Sequence, residues 1–190
     1  GGRKNGRLSK VHPIDLGAEV VDALVAKTGV AVTEIDDLIF GCVSQVGAQS
    51  SNLARNVCLS SVLGEVVPGT TVDRQCGSGQ QAMHFAAQGV LSGTQDVVIA
   101  GGVESMSQVP IGANIIDGFK ADHGVPYGKK LSERYPGVQF SQFDGAEMLV
   151  SKYELSSDEL NAFALDSHVK ARRAVEEGRF NEEIVPIEIE

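Results

Sequence analysis

One cysteine in this chain of 190 residues has a setting that suits a nucleophile. Cys76 stands between a predicted strand at 70–74 and a predicted helix at 77–91. Free backbone N–H groups and the positive dipole end at a helix N-terminus favour the thiolate, which is the reactive form. Gly77 and Gly79 leave the sulfur uncovered and allow a carbonyl to approach. A buried structural role is commoner for a free cysteine, but these neighbours favour a nucleophile.

No histidine lies in a motif that would activate this thiol. His84 is eight residues beyond Cys76, roughly 12 Å along a helix and out of hydrogen-bond reach. His12, His123 and His168 are scattered, and the three cysteines contain no Cys-x-x-Cys pair. The sequence therefore predicts neither a base for Cys76 nor a metal site.

Residues 73–79, Asp-Arg-Gln-Cys-Gly-Ser-Gly, resemble the nucleophile motif of the thiolases, which are acyl-CoA acetyltransferases that make or break a 3-ketoacyl-CoA. A second block at 97–107 resembles the strand and the Gly-Gly-x-Glu-Ser-Met-Ser segment of that family, at the matching distance. The resemblance covers nearly the whole chain, since three further segments fit it: 41–55, 155–173 and 178–186.

This resemblance implies an α/β thiolase-like layered fold with an N-terminal mixed sheet, a buried central helix after the nucleophile and part of a loop domain. It predicts an α/β domain at 1–110 that lacks its first strand, and a loop and helical region covering CoA at 111–180. Residues 181–190 are expected to begin a strand that returns to the α/β domain. The Gly-His-Pro and Cys-x-Gly-Gly-Gly segments of the family's C-terminal domain, which carry the activating histidine and a second base, do not occur. The 190-residue chain alone is therefore expected to be inactive.

The activity that the resemblance implies is cleavage of a 3-ketoacyl-CoA by CoA, or the reverse Claisen condensation, through an acyl group on Cys76. The backbone N–H of Cys76 is expected to donate to the acyl carbonyl, with CoA thioesters as substrates and no permanently bound cofactor. Gln142 and Phe143 stand where family residues contact the acyl and pantetheine groups, and they depart from the common Met-Gly. This departure favours a degradative thiolase of lipid or sterol substrates, similar to those of actinobacteria.

Three other functions are compatible with parts of the sequence. A 3-ketoacyl synthase shares the fold and the cysteine nucleophile, although the sequence around Cys76 favours a thiolase. A dinucleotide-binding domain would use 77–82 as a G-x-G-x-x-A turn and Glu104 as the ribose-binding acid. Asp73 and Arg74 in the preceding strand argue against it, because a Rossmann strand is usually apolar there. A non-catalytic interaction domain is the third.

The amino-acid composition limits which binding partners and which cellular compartment are expected. With 16 basic and 25 acidic residues the net charge is −9, which argues against a nucleic-acid surface. A CoA phosphate would need a local patch such as Lys129-Lys130 with Arg134, or Arg172-Arg173, and a solvated charged face is the alternative. Unpaired cysteines and the lack of a ~20-residue apolar run predict a cytoplasmic protein without a membrane span, and the resemblance to actinobacterial thiolases implies a bacterial one. Organellar targeting stays open, because the N-terminus looks truncated.

A homodimer or homotetramer is expected, since thiolases pair through the region before the nucleophile and a two-fold dimer is the commonest oligomer. The polar segment 45–55 is the predicted contact.

Periodicity and glycine stops predict an alternating α/β order. Residues 109–139 show no periodicity and are predicted to form a long surface excursion. The last helix should begin with a Ser156-x-x-Glu159 capping box and point Leu160, Phe163, Ala164 and Ala171 inward. The other predicted elements are helices at 14–28, 52–63 and 145–153, strands at 38–43 and 97–101, the last helix at 157–177, and a final strand from 184.

Overall fold

The structure is a computed structural model that describes residues 5–189. It divides into two units, one reaching Val125 and including the segment from Val185 onward, the other Pro126–Ile184. Within the described residues no helix is long and apolar enough to cross a membrane. The first unit contains β1 (Asp37–Gly41), β2 (Gly69–Val72), β3 (Val98–Gly102), α1 (Pro13–Thr28), α2 (Leu53–Ser60), α3 (Ser78–Leu91) and α4 (Ala113–Lys120), and the second contains α5 (Lys129–Arg134), α6 (Gln142–Tyr153) and α7 (Ser157–Glu176).

The sheet has the order β2-β1-β3, with β1 in the centre. Leu38 of β1 lies opposite Gly69 of β2 and Ile99 of β3, and both pairings are parallel. The strands of residues 5–189 therefore form a parallel sheet, where the sequence predicted a mixed one. Because strands in a parallel sheet run the same way, the chain leaves all three at one edge.

Both faces of the central strand are buried. Leu38 belongs to the core shared with α1 and α2, whereas its neighbour Ile39 packs with Ala82 and Ala86 of α3. Successive side chains of a strand point to opposite faces, so an apolar run without alternation is what two covered faces require. The strand that the sequence predicts at 38–43 is thus present as the central, doubly buried strand β1.

Helix α3, which follows Cys76, is buried only where it faces the sheet. Ala82 and Ala86 are buried, and their small side chains allow this close approach. Met83 is exposed on the other side, as is Leu91 at the end of the helix. Among the described residues, the predicted central helix is thus covered from one side.

Three local predictions were wrong. The excursion at 109–139 contains α4 and α5, which have eight and six residues and are too short to show a clear period. The capping box of α7 is present, but none of its residues is buried, and Phe163 is 80% exposed. The predicted final strand is also not observed, because 184–189 form neither helix nor strand.

Candidate active site

The candidate site lies at the carboxyl edge of the parallel sheet. Strand β2 leads to Cys76, β1 to residues 42–46, and β3 to residues 103–107. Ligands of open α/β sheets bind in crevices outside the carboxyl ends of the strands. The topology therefore brings the predicted nucleophile to the edge where a substrate site is expected.

A tight turn presents Cys76 to solvent. The Gly77 N–H donates to the Arg74 carbonyl at 2.7 Å, and Cys76 adopts a φ of +60°. The Ser78 hydroxyl accepts from the Arg74 N–H and donates to the Arg74 carbonyl, both at 3.1 Å. A left-handed conformation costs a residue other than glycine about 1 kcal/mol or more, and such strain clusters at functional sites. The buried Ser78 hydroxyl thus stabilises a turn that leaves Cys76 exposed.

Unpaired backbone donors surround the thiol. The first helical bond of α3 runs from the Gln81 N–H to the Gly77 carbonyl at 2.9 Å, so the N–H groups of residues 78–80 have no helical acceptor. Within residues 5–189 the Cys76 N–H has no acceptor either. These groups are available to a carbonyl oxygen or an oxyanion beside the sulfur.

Glycine at position 41 allows the end of β1 to touch the start of α3. A Cβ on Gly41 would lie 2.5 Å from Gly79 N and 2.7 Å from Ser78 O, which are backbone atoms. Gly79 differs, because the nearest atom to a Cβ there would be Gly101 O at 4.0 Å. Gly41 is therefore needed for packing, and Gly79 leaves open space beside Cys76.

Two pockets of about 330 and 280 Å³ meet at Cys76. Val43, Cys76 and Glu104 line both. The larger is completed mainly by glycine backbone, whereas the smaller has an apolar wall formed by Met106, Ile111 and Ile115. The exposed thiol is thus accessible from two sides that differ in character.

Sequence reasoning missed the role of Glu104. Its carboxylate accepts the Val43 N–H at 3.1 Å and the Ser44 N–H at 2.9 Å. Gln49 is fully buried nearby and was not predicted as a site residue. The only signal for Glu104 was its place in the Gly-Gly-x-Glu-Ser-Met-Ser segment. Both of its oxygens bind backbone donors, which is not the arrangement of a free ribose-binding acid.

The other two cysteines are poor nucleophiles. Cys42 and Cys58 are completely buried. Burial, with the negative charges of Glu104 and Asp73, raises the pKa of Cys42 to about 12. Burial also raises the pKa of Cys58. Neither thiol forms appreciable thiolate near neutral pH.

The remaining predicted residues lie in the second unit. Gln142 is the first residue of α6, and Phe143 follows it with 84% of its surface exposed. Of the predicted basic patches, Lys129 pairs with Glu133 at 3.6 Å and Arg172 with Glu176 at 2.7 Å. The described residues contain no cluster of histidine, cysteine and acidic side chains that could hold a metal ion.

Comparison with known proteins gives consistent matches along the chain. The family model of the thiolase N-terminal domain matches residues 1–190. A steroid 3-ketoacyl-CoA thiolase of Mycobacterium tuberculosis is 42% identical over all of this chain and 47% of its own length. A 3-ketoacyl-CoA thiolase of Bacillus subtilis is 39% identical over all of this chain and 46% of its own length.

A solved structure supports the same fold. The crystal structure of the Bacillus anthracis acetyl-CoA acetyltransferase superposes with a TM-score of 0.81 and is 34% identical. The match covers all of this chain and 48% of that one. The layered α/β fold predicted from the sequence is confirmed. The chain spans about half the length of the curated relatives it matches.

Proposed function

The chain belongs to the thiolase family, whose N-terminal domain it matches along its whole length, and we propose that it carries the nucleophile of a 3-ketoacyl-CoA thiolase. The observation that supports this most is the turn at Cys76. An exposed thiol in a left-handed conformation lies at the carboxyl edge of the sheet, where two pockets meet. A structural cysteine requires neither the exposure nor the strain.

The proposed reaction has two steps. The Cys76 thiolate attacks the 3-keto carbonyl carbon of the substrate, and the bond between the α and β carbons breaks. The electron pair of that bond leaves with the two-carbon fragment, which takes up a proton and departs as acetyl-CoA. The sulfur of a second CoA then attacks the acyl group on Cys76, which releases the shortened acyl-CoA and restores the thiol. The same two steps in reverse give Claisen condensation.

Backbone donors at the start of α3 would stabilise the charge that develops in this reaction. In each tetrahedral intermediate Cys76 is bonded to the carbonyl carbon and the oxygen of that carbon becomes negative. The Cys76 N–H is the proposed donor to this oxygen. It has no competing acceptor in residues 5–189. CoA thioesters are the proposed substrates, and no permanently bound cofactor is required.

The acid–base groups are proposed to lie elsewhere in the protein. Cys76 needs a base to take its proton, and the leaving carbanion needs an acid. His84 is on α3 and exposed, roughly 12 Å along the helix from Cys76. We therefore assign these roles to the part of the protein that corresponds to the other half of the relatives.

We propose a degradative lipid or sterol-type acyl group as the substrate. The departure at Gln142 and Phe143 from the common Met-Gly supports this, since the family resemblance assigns contacts with the acyl and pantetheine groups to these positions. A relative at 42% identity carries the name of a steroid 3-ketoacyl-CoA thiolase. Comparing turnover of steroid-type, long-chain and acetoacetyl thioesters tests the assignment, and a Phe143→Gly variant should shift the preference towards the smallest. An unchanged preference would contradict it.

The function is tested by trapping the acyl-enzyme. The natural-length protein is incubated with a 3-ketoacyl-CoA, quenched in acid and digested, and the acyl group is located by peptide mass. We expect the acyl mass on the Cys76 peptide and its loss when CoA is added. Cys76→Ser should form none, whereas Cys58→Ala, which removes a buried thiol, should behave as wild type. Acyl groups on another residue would refute the proposal.

We further propose a cytoplasmic homodimer or homotetramer. A reducing compartment keeps Cys76 in the thiol form that the reaction needs. The predicted contact segment 45–55 includes Gln49 and Arg55, which bond within this chain, so the proposal depends on the family and on the general frequency of two-fold dimers. Light scattering of the natural-length protein should give at least twice the protomer mass, and a monomeric mass would overturn it.

A further inference from the structure

Two buried or half-buried side chains connect the segments that follow β1 and β3. The Gln49 side-chain amide donates to the Ser44 carbonyl at 2.8 Å and accepts the Ser105 N–H at 2.6 Å. The Glu104 carboxylate accepts two further backbone N–H groups, from Val43 and Ser44. Three of these four hydrogen bonds join segments that are about 60 residues apart in sequence, and the bond from Gln49 to Ser44 lies within the segment after β1.

The bonds of Gln49 explain why a polar side chain is fully buried there. An amide without partners inside a protein costs roughly 1–3 kcal/mol. Both ends of the Gln49 amide are satisfied, and each partner is a backbone atom of a different segment. An apolar residue of the same size would fill the space but leave the Ser105 N–H without an acceptor, whereas the Ser44 carbonyl would keep its bond from the Val46 N–H at 2.9 Å. Gln49 thus holds these segments in one relative position.

Glu104 is suited to holding the segment after β1 in place rather than to transferring a proton. Both carboxylate oxygens accept backbone N–H groups, and charge-assisted bonds of this kind are about twice as strong as neutral ones. Val43 and Glu104 both line the two pockets that contain Cys76. The walls on one side of the thiol are therefore fixed by side chains that need not touch the substrate.

We propose that Gln49 and Glu104 are positioning residues that hold the pocket wall at the distance from Cys76 that acyl transfer requires. The proposal rests on the proposed function, because its test measures the rate of acyl transfer. Reactivity of the thiol itself depends on the turn at residues 74–78, and the hydrogen bonds of Gln49 and Glu104 go to other segments. The two residues should therefore affect reactions that need the pocket and leave simple alkylation of Cys76 unchanged.

The test compares two rates in the natural-length protein. Gln49→Met keeps the side-chain length and loses both hydrogen bonds. Gln88→Met, at an exposed position on α3, is the matched control. We expect Gln49→Met to slow acyl transfer from a 3-ketoacyl-CoA by about 10- to 100-fold, because misplacement by 1 Å costs up to that much. Labelling of Cys76 by iodoacetamide should change less than about twofold, since this reagent needs no pocket.

Glu104→Gln provides a second variant with a different chemistry. Its amide oxygen can accept one N–H, but its NH₂ group would face the other N–H, so we expect a loss similar to that of Gln49→Met. Glu104→Asp keeps both acceptors on a shorter stem and should recover part of the rate. Equal loss of acyl transfer and of alkylation would indicate general misfolding and overturn the positioning role, as would wild-type acyl transfer in both variants.

Amide hydrogen exchange of the unaltered protein tests the same arrangement without a variant. The N–H groups of Val43, Ser44 and Ser105 should exchange as slowly as those of β1, because each is bonded to a side chain held in place. Fast exchange at these three positions would refute the proposal even if the variants failed to fold. An unaltered protein that forms no acyl-enzyme but protects these amides would instead contradict the proposed function.

Discussion

Replacing Gly41 by alanine would test how the sheet supports the nucleophile turn. The added Cβ would lie 2.5 Å from Gly79 N and 2.7 Å from Ser78 O. Ordinary contacts need about 3.5 Å, so the end of β1 and the start of α3 must separate by about 1 Å. The obstructing atoms are backbone, which cannot rotate away as a side chain would. Overpacking of this kind costs about 1–3 kcal/mol, and the rigid obstruction favours the upper end.

Thermal unfolding measures this cost. For a chain of this size 1 kcal/mol lowers Tm by about 2–4 °C, so 3 kcal/mol predicts a fall of about 6–12 °C in Gly41→Ala. Turnover, measured in the natural-length protein, should fall by up to about 100-fold, because the turn that carries Cys76 moves with α3. Gly145→Ala, in an open position of α6, is the control and should lie at or slightly above the wild-type Tm.

Gly79→Ala separates packing from function at the same site. Its Cβ would have no backbone atom closer than 4.0 Å, so stability should stay near wild type. The methyl group would narrow the larger pocket at Cys76, and turnover should fall. Wild-type stability in Gly41→Ala, or an equal loss of stability in Gly79→Ala, would refute the reasoning.

Three other predictions follow from local chemistry. Folding raises the pKa of Cys42 from 9.0 to about 12. The contribution of Cys42 to the free energy of unfolding is therefore complete below pH 9 and is lost as the pH rises towards 12. At about 1.4 kcal/mol per pKa unit the loss is about 4 kcal/mol. Urea unfolding at pH 8 and 10.5 should show this, with a smaller fall in Cys42→Ala, and an equal fall in both would contradict it. Ser156→Ala should remove the cap of α7 and speed amide exchange in its first turn. Acidification should also speed exchange there, because hydrogen bonds from Ser156 lower the pKa of Glu159 and are lost when the pH falls below that pKa. Unchanged amide exchange in the first turn of α7 would contradict the role of the cap. A mass-verified 190-residue chain should perform neither thiolysis nor condensation, since each missing acid–base group costs about 10²–10⁴ in rate. Robust thiolysis by that chain would disprove the assignment of these groups to another part of the protein.

Local sequence patterns determined the elements and the family. Gly29 ends α1 in a left-handed conformation, and Ser156 with Glu159 forms the predicted capping box. Cys76 was found in the same way, because a strand, a cysteine and a glycine-rich helix start are adjacent in the chain. Such signals depend on backbone conformations and hydrogen bonds within a few residues, which the sequence specifies directly.

Only the tertiary structure decided how the surroundings of Cys76 are built. Gly41 is required because β1 touches α3 there, and Gln49 and Glu104 matter because they bond to segments after neighbouring strands. These contacts join residues 37 to 61 positions apart. They depend on the parallel register that brings the carboxyl ends of β1, β2 and β3 to one edge. A single sequence shows no such register, because pairing between distant strands is set by packing of the whole sheet rather than by any local pattern.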